Sequence, residues 1–178
     1  MAKCISSWTE LGELNVRTLL VLDIDETLLW FPKVNREWWI DLLANLSTKH
    51  PPDRVQALAQ EEWLRVVTEE NPVQTDVEGF RELNRRVRAT NSQLVFLTAR
   101  LESFSYLTRK HLNYCGVSQD TVIHYSSSKG ATLRAILAKY PGFKRVVFVD
   151  DKVSNIEDVQ KHNPTVEVYQ WIIAEETC

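Results

Sequence analysis

The sequence predicts an α/β protein, with a doubly wound, Rossmann-like, mostly parallel sheet of five strands and a small helical cap inserted after the first strand. Two observations predict this class. Helical patterns separate five short apolar runs, and three of these runs are almost continuously apolar, as in strands covered on both faces. Strands that alternate with helices through short connections are typical of parallel sheets with helices on both faces.

Each predicted element rests on a short pattern. The strands are expected at residues 18–22, 93–97, 121–125, 145–149 and 166–171. The helices between them are expected at residues 77–88, 101–114, 129–140 and, from a weaker pattern, 153–162. The first of these helices repeats Phe80, Leu83 and Val87 at spacings of three and four, which places the three side chains on one apolar face.

One segment interrupts the alternation. From Trp30 to about Gln74 the sequence has no strand signal, and two helical patterns at residues 36–46 and 53–67 flank a break at Pro51-Pro52. We therefore expect an α/β core in residues 1–29 and 75–178 and a helical cap in residues 30–74. The alternative is that both helices pack on the sheet as additional core.

Composition narrows the class of protein. The 178 residues carry 21 basic and 24 acidic side chains, so no strongly basic nucleic-acid surface is expected. No apolar run is long enough for a transmembrane helix, and the N-terminal segment lacks the apolar stretch of a secretory signal. Three scattered cysteines, Cys4, Cys115 and Cys178, favour free thiols in a reducing compartment. These features predict a cytoplasmic protein.

Polar side chains follow three of the predicted strands where each strand ends. Asp23 and Asp25 follow the first strand, Thr98 follows the second, and Asp150 and Asp151 follow the fourth. In open α/β sheets the ligand crevice lies at the carboxyl ends of the strands, so these groups are expected at one site. Unpaired buried carboxylates are costly, and a cluster of them therefore predicts a bound cation.

These motifs resemble those of the haloacid dehalogenase superfamily, in its phosphatase branch. The run DIDET from Asp23 matches the DxDxT first motif of the family. Thr98 matches the second motif, Lys129 the third, and Asp150-Asp151 the fourth, in the family's order and spacing.

The resemblance implies a magnesium-dependent phosphatase that forms an aspartyl-phosphate. It makes Asp23 the nucleophile and Asp25 the general acid and base, and it assigns phosphate binding to Thr98 and Lys129. The metal ligands implied are the side chain of Asp23, the backbone carbonyl of Asp25, and the acids of the fourth motif. Of these acids, Asp151 is favoured as the direct ligand and Asp150 as a second support or a bridge to Lys129.

Asn155 has two interpretations from sequence. It either supports a water on the metal or is an ordinary polar residue of a helix.

The predicted insertion is the candidate specificity element. Trp30 and Phe31 fall just after the loop that carries the first motif and are candidate substrate contacts. Trp39 and Trp63 lie on apolar stripes and are expected to fix the hairpin to the core. The sequence resembles the capped phosphatase domains of intracellular bacterial pathogens and the eyes-absent tyrosine phosphatases. Some of the former are exported effectors, so the resemblance implies the host cytosol as the alternative location. The resemblance also makes a phosphotyrosine protein the favoured substrate. The alternatives are a sugar or nucleotide phosphatase, a phosphoserine or phosphothreonine protein phosphatase, and a catalytically silent binding module.

Overall fold

The computed structural model describes residues 2–14 and 17–173. Its strands in chain order are β1 (Lys3–Ile5), β2 (Thr18–Leu22), β3 (Leu29–Trp30), β4 (Val73–Gln74), β5 (Gln93–Thr98), β6 (Val122–Tyr125), β7 (Arg145–Asp150) and β8 (Glu167–Trp171). Six of them form one sheet in the order β1-β8-β7-β2-β5-β6, and every neighbouring pair is parallel. The predicted α/β class is confirmed.

The sheet has six strands rather than the predicted five, because β1 pairs in parallel with β8 at the sheet edge. This strand has three residues, and only Ile5 is buried. A run this short carries neither a continuous apolar pattern nor a full alternation, so its sequence does not distinguish it from a loop. The five predicted strands are all present, each within one residue of its expected bounds.

Six α-helices connect the strands within the described residues. They are α1 (Arg36–Ser47), α2 (Pro52–Glu69), α3 (Val77–Ala89), α4 (Ser105–Tyr114), α5 (Lys129–Lys139) and α6 (Val153–His162). Each predicted helix is present, although the one expected from residue 101 opens with a 3-10 turn at Glu102–Phe104 before α4 begins. None of these helices combines the length and apolar character needed to cross a membrane.

The two faces of the sheet bury separate cores, and alternate residues of β2 supply both. Leu20 and Leu22 face a core that includes Phe80 of α3, whereas Leu19 and Val21 face a core that includes Leu133 of α5. Because successive strand residues point to opposite faces, a strand buried on both faces must be apolar throughout. The continuous apolar run of β2 therefore follows from its central position.

The segment from Trp30 to Gln74 contains strand residues at both ends, which corrects the expectation that it has none. Leu29–Trp30 and Val73–Gln74 pair as an antiparallel two-stranded ribbon, β3 with β4, at the base of the α1–α2 hairpin. Two residues per strand are too few for a period-two pattern, and the pairing partner lies more than 40 residues away. An ion pair of 2.8 Å between Lys33 and Glu70 joins the same two chain ends.

Cys4 and Cys115 are free thiols, as the cysteine spacing predicts, and Cys178 lies outside the described residues.

Candidate active site

The strand order reverses between β2 and β7. From β2 the chain proceeds to β5 and β6 on one side, then returns to β7 on the other side of β2. Asp23 extends β2 beyond its last residue, because its backbone N–H donates to the carbonyl oxygen of Val149 in β7 at 2.9 Å. Crevices at such reversal points are the usual ligand sites of open α/β sheets.

Lys129 is the first residue of α5, and its side chain reaches the end of β2. Its ammonium lies 2.6 Å from Oδ1 of Asp23 and 3.6 Å from Oδ2 of Asp150, and it also donates to the carbonyl oxygen of Leu97. Lys129 is 1% exposed. Two hydrogen bonds and one ion pair to protein groups therefore hold this buried ammonium in place.

The helix that carries Lys129 is held at its start by α6. The backbone N–H of Gly130 donates to Oδ2 of Asp158 at 2.7 Å, whereas Ser128, the residue at the N-cap position, makes no side-chain capping bond. The carboxylate of Asp158 therefore takes the place of a capping side chain for this N–H. A Cβ on Gly130 would lie 2.3 Å from the backbone oxygen of Asp158, so only glycine allows this approach.

Asp150 and Asp151 at the end of β7 have different surroundings. Asp150 is fully buried, and the amide of Asn155 donates to both of its oxygens at 2.9 and 3.1 Å. Oδ1 of Asp151 is buried and has no hydrogen-bond partner among the described residues. Asn155 therefore holds Asp150, which makes it more than an ordinary helix residue, and Asp151 retains an oxygen that no protein group satisfies.

The carboxylates of Asp23, Asp150 and Asp151 each bring an oxygen within 4.8 Å of the others. Burial raises the pKa of Asp23 to about 7, against the opposing effect of Lys129. Burial, followed by the charges of Asp23 and Asp150, raises the pKa of Asp151 to about 9. Burial alone would lower the pKa of Lys129, but the charges of Asp23 and Asp150 raise it above its ordinary value. One lysine does not neutralise this cluster, and an all-oxygen donor set with an unsatisfied oxygen fits a hard divalent cation such as Mg²⁺.

Two more predicted residues lie beside the cluster. Asp25 is half-buried, and Thr98 at the end of β5 is 1% exposed. The turn between β2 and β3 places Glu26 in a left-handed conformation, with φ 59°. This turn is closed by a bond of 2.8 Å from the N–H of Glu26 to the carbonyl oxygen of Leu29.

Arg100 is a residue that the sequence interpretation did not single out. Its guanidinium makes two bonds to Asp25, from Nε at 2.8 Å and from Nη2 at 2.7 Å, and Arg100 is 7% exposed. It lies in the LTAR run beside Thr98, and its backbone N–H donates to Oγ1 of Thr98 at 3.2 Å. The sequence gives little indication that Arg100 belongs to the site, because its partner Asp25 is 75 residues away in the chain.

A cavity of about 580 Å³ opens above these groups, between the sheet edge and the α1–α2 hairpin. Asp23, Asp25, Thr98 and Asp151 face it, and its aromatic wall consists of Trp30, Phe31, Trp39, Trp63 and Phe104. The candidate contacts Trp30 and Phe31 both line the cavity, although Phe31 is 3% exposed and packs edge-on against His111.

Trp39 and Trp63 differ from the expectation that they only fix the hairpin to the core. Both line the cavity, and of the two only Trp63 packs against the buried core. The tryptophan of α1 that packs against this core is Trp38. Adjacent side chains of a helix point about 100° apart. Trp38 of α1 therefore faces the core, and Trp39 faces the cavity.

No protein-family model matches the sequence, and no curated protein does either. Among solved structures, the chain is similar to a Thermotoga maritima protein described as a beta-phosphoglucomutase, with TM-score 0.56 and 13% identity over 87% of this chain and 85% of that one. It is also similar to a haloacid dehalogenase superfamily hydrolase from Ehrlichia chaffeensis, with TM-score 0.52 and 12% identity over 88% and 93% of the two chains.

A further similar structure is the class C acid phosphatase of Bacillus anthracis, with TM-score 0.51 and 14% identity over 93% of this chain and 70% of that one. The chain has the haloacid dehalogenase fold. Within this fold, the four motif positions recognised in the sequence meet at one edge of the sheet. Asp23 and Asp150 contact Lys129 directly, and Thr98 and Asp151 face the same cavity.

Proposed function

We propose that this chain is a magnesium-dependent phosphomonoester hydrolase that forms an aspartyl-phosphate on Asp23. The proposal rests above all on the Asp23–Lys129 pair, 2.6 Å apart, beside the carboxylates of Asp150 and Asp151. A carboxylate repels a phosphate dianion unless positive charge lies next to it. Lys129 and a cation at the acidic cluster would supply that charge where it is needed.

The first step is attack by Asp23. Lys129 holds Oδ1, while Oδ2 makes no hydrogen bond within the described part of the chain. Oδ2 forms a bond to phosphorus, and the bond from phosphorus to the leaving oxygen breaks. Asp25 donates its proton to that oxygen. The products of this step are the dephosphorylated alcohol or phenol and the aspartyl-phosphate.

The second step is hydrolysis of the aspartyl-phosphate. Asp25, now ionised, takes a proton from water as the water oxygen attacks phosphorus. The bond from phosphorus to Oδ2 of Asp23 breaks, which releases inorganic phosphate and restores the carboxylate. The hydroxyl of Thr98 accepts from the N–H of Arg100 at 3.2 Å, so its own proton is available for a phosphoryl oxygen.

The proposed metal ligands are the side chains of Asp23 and Asp151 and the backbone carbonyl of Asp25. Asp150, which Asn155 already holds, supports the site from behind. Magnesium bound there would neutralise the cluster and withdraw charge from the phosphoryl oxygens.

We also propose that residues 30–74 act as a cap over the core formed by residues 1–29 and 75–178, and that the cap selects an aryl phosphate such as phosphotyrosine. The aromatic wall of the cavity supports this proposal, because Trp30 and Trp39 belong to it and indole rings stack favourably on aryl groups. The opening leads to solvent past the exposed side chains of Ile40 and Leu101, which leaves room for a peptide on either side of the phosphorylated residue.

A sugar or nucleotide phosphatase is the second candidate. The observation in its favour is the polar part of the cavity lining, where Asn35, Arg36 and Gln60 of the hairpin offer hydrogen bonds to hydroxyl groups. A cavity of about 580 Å³ also matches the size of a small-molecule site.

The test of the reaction uses Asp23→Asn, with Asp41→Asn as the control because Asp41 is exposed on α1. Hydrolysis of p-nitrophenyl phosphate is expected to vanish in Asp23→Asn and to be unchanged in Asp41→Asn. Removal of divalent cations with EDTA should abolish turnover, and added Mg²⁺ should restore it. Full activity of Asp23→Asn would refute the assignment of the nucleophile.

The test of substrate class compares a phosphotyrosine peptide, a phosphoserine peptide, glucose 6-phosphate and a nucleoside monophosphate at equal concentration. The aryl proposal predicts the highest kcat/KM for the phosphotyrosine peptide. A higher value for glucose 6-phosphate or the nucleotide would support the second candidate instead.

A further inference from the structure

Arg100 occupies a buried position between the reacting groups and the inserted hairpin. Its side chain is 3% exposed, and its two bonds to Asp25 form a fork in which Nε meets Oδ2 and Nη2 meets Oδ1. A bidentate arginine fixes the plane of a carboxylate as well as its distance. Asp25 is therefore held in one orientation.

Two further side chains fix Arg100 in turn. Its Nη1 lies 3.2 Å from Nδ1 of His111 on α4, and its guanidinium carbon lies 5.0 Å from the ring centre of Trp63 on α2. A guanidinium within about 6 Å of an indole is attracted to the ring. Trp63 also packs edge-on against Phe31, so the hairpin forms one side of this arrangement.

The protonation state of His111 is consistent with this arrangement. An arginine has no acceptor, so Nδ1 of His111 must accept the bond from Nη1. Burial and the charge of Arg100 lower the pKa of His111 to about 4. The imidazole is therefore neutral near pH 7 and offers the lone pair that Arg100 needs.

We propose that Arg100 is the positioning residue of the general acid Asp25, and that Trp63 connects the inserted hairpin to it. This inference rests on the proposed phosphatase reaction. The fork uses one lone pair on each oxygen of Asp25 and leaves a second one to carry the proton that the acid gives to the leaving oxygen. Arg100 thereby fixes the carboxyl orientation that this proton transfer requires. The hairpin then does more than line the cavity, because Trp63 covers the residue that orients Asp25.

Direct binding of a substrate anion by Arg100 would be a different role. The geometry argues against it, because Nε, Nη1 and Nη2 all have protein partners and the side chain is 3% exposed. Anion binding and acid positioning also predict different kinetic results. Loss of an anion-binding group raises KM for every substrate that carries the anion, whereas loss of acid orientation depends on the leaving group.

The experiment measures kcat/KM for a series of aryl phosphates with leaving-group pKa values from about 4 to about 10, such as 2,4-dinitrophenyl, p-nitrophenyl and phenyl phosphate. Good leaving groups depart without a proton, and poor ones need it. Arg100→Met is expected to lower kcat/KM for phenyl phosphate at least about tenfold more than for 2,4-dinitrophenyl phosphate. Asp25→Ala should give the same selective pattern with a larger amplitude.

A double-mutant cycle tests whether Arg100 acts through Asp25. In an Asp25→Ala background, Arg100→Met is expected to cause no further loss for phenyl phosphate, because the group that it orients is gone. If the two losses multiply, or if Arg100→Met lowers kcat/KM equally for all leaving groups, the positioning role is wrong. Persistence of activity in Asp23→Asn would instead refute the underlying reaction, so the two failures are distinguishable.

Two more variants separate positioning from folding. Arg100→Lys keeps the charge and most of the side-chain volume but not the fork, so it should show the same selectivity with a smaller amplitude even if Arg100→Met does not fold. Trp63→Leu should shift the leaving-group dependence in the same direction. The control is Arg65→Met, which removes an arginine of the same helix that is 71% exposed and pairs with Glu62. A leaving-group dependence unchanged in Arg100→Lys would contradict the proposal.

Discussion

The end of the strand β2 and the helix α1 border the same cavity, but the two elements differ in burial. Every residue of β2 is buried, whereas α1 has no buried residue. The groups proposed to react, Asp23 and Asp25, continue from β2, and Lys129 is fixed beneath them. The groups proposed to contact the leaving group lie on or beside the hairpin. Chemistry that needs fixed positions thus lies on the element with most burial, and specificity lies on an element with little burial to lose.

His111 and Arg100 stand where the two regions meet. Both are buried, and they lie outside the hairpin in sequence. Trp63 of the hairpin covers Arg100, and Phe31, just before the hairpin, packs against His111. The difference between the regions can be tested by substitutions in the core, in the hairpin and at this junction.

The largest effect is expected from Phe96→Ala in β5, which lies between β2 and β6. Phe96 is fully buried, so the loss of its ring should lower the free energy of unfolding by about 3–5 kcal/mol. The matched substitution in the hairpin is Ile40→Ala, where the side chain is 56% exposed and the expected change is within about 0.5 kcal/mol. Urea unfolding measures both. Equal losses would show that the hairpin is as tightly packed as the core.

Lys129→Met removes the only ammonium that contacts Asp23 and Asp150 among the described residues. We expect kcat for p-nitrophenyl phosphate to fall by about 10²–10³, the usual cost of losing a group that stabilises developing charge. Lys139→Met, at the exposed end of the same helix, is the control and should retain full activity. Retention of more than a tenth of the activity in Lys129→Met would contradict the role of Lys129.

His111→Gln tests the junction through the pH dependence of stability. Burial lowers the pKa of His111 from 6.5 to about 4, so the unfolded chain takes up a proton below pH 6.5 while the folded chain does not. Stability from the neutral imidazole is complete above that pH and is lost as the pH falls. Between pH 7 and pH 5 the native protein should lose about 2 kcal/mol more than His111→Gln.

Other titrating groups are common to both proteins and cancel in that difference. Thermal or urea unfolding at the two pH values supplies the measurement. Equal losses in the two proteins would mean that His111 is not held neutral in the folded state.

Trp39→Leu is expected to have the smallest effect. Loss of an aromatic contact of about 0.5–1.5 kcal/mol should raise KM for aryl phosphates about two- to tenfold and leave kcat unchanged. Inhibition by inorganic phosphate should not change, because the proposed contact is with the leaving group only. If Trp39→Leu raised KM equally for an alkyl phosphate, Trp39 would not be a specific contact for aryl groups.

The central sheet and the motif positions could be predicted from the sequence because their signals are local. The strand β2 is apolar throughout, and Asp23 follows it directly in the chain. The carboxyl ends of neighbouring parallel strands lie at the same edge of the sheet. Carboxylates at the end of one buried strand therefore lie close to the polar groups at the ends of its neighbours. Thr98 and Asp151 accordingly lie where their positions in the sequence indicate.

Features that depend on distant pairing could not be predicted. The edge strand β1 and the β3–β4 ribbon have two or three residues per strand, and their partners are far away in sequence. The role of Asn155 stayed open for the same reason, because only the folded chain brings its amide to both oxygens of Asp150.

The sequence by itself determined the fold class, the strand that carries the carboxylates proposed to react and the need for a counter-charge near them. Hydrophobic period and motif order depend on neighbouring residues, so they can be read along the chain. Only the tertiary structure decided that Arg100 pairs with Asp25 and that His111 and Trp63 contact Arg100. It also decided that Trp39 faces the cavity. Each of these contacts joins elements far apart in the chain, and its geometry exists only once the two cores and the hairpin have packed together.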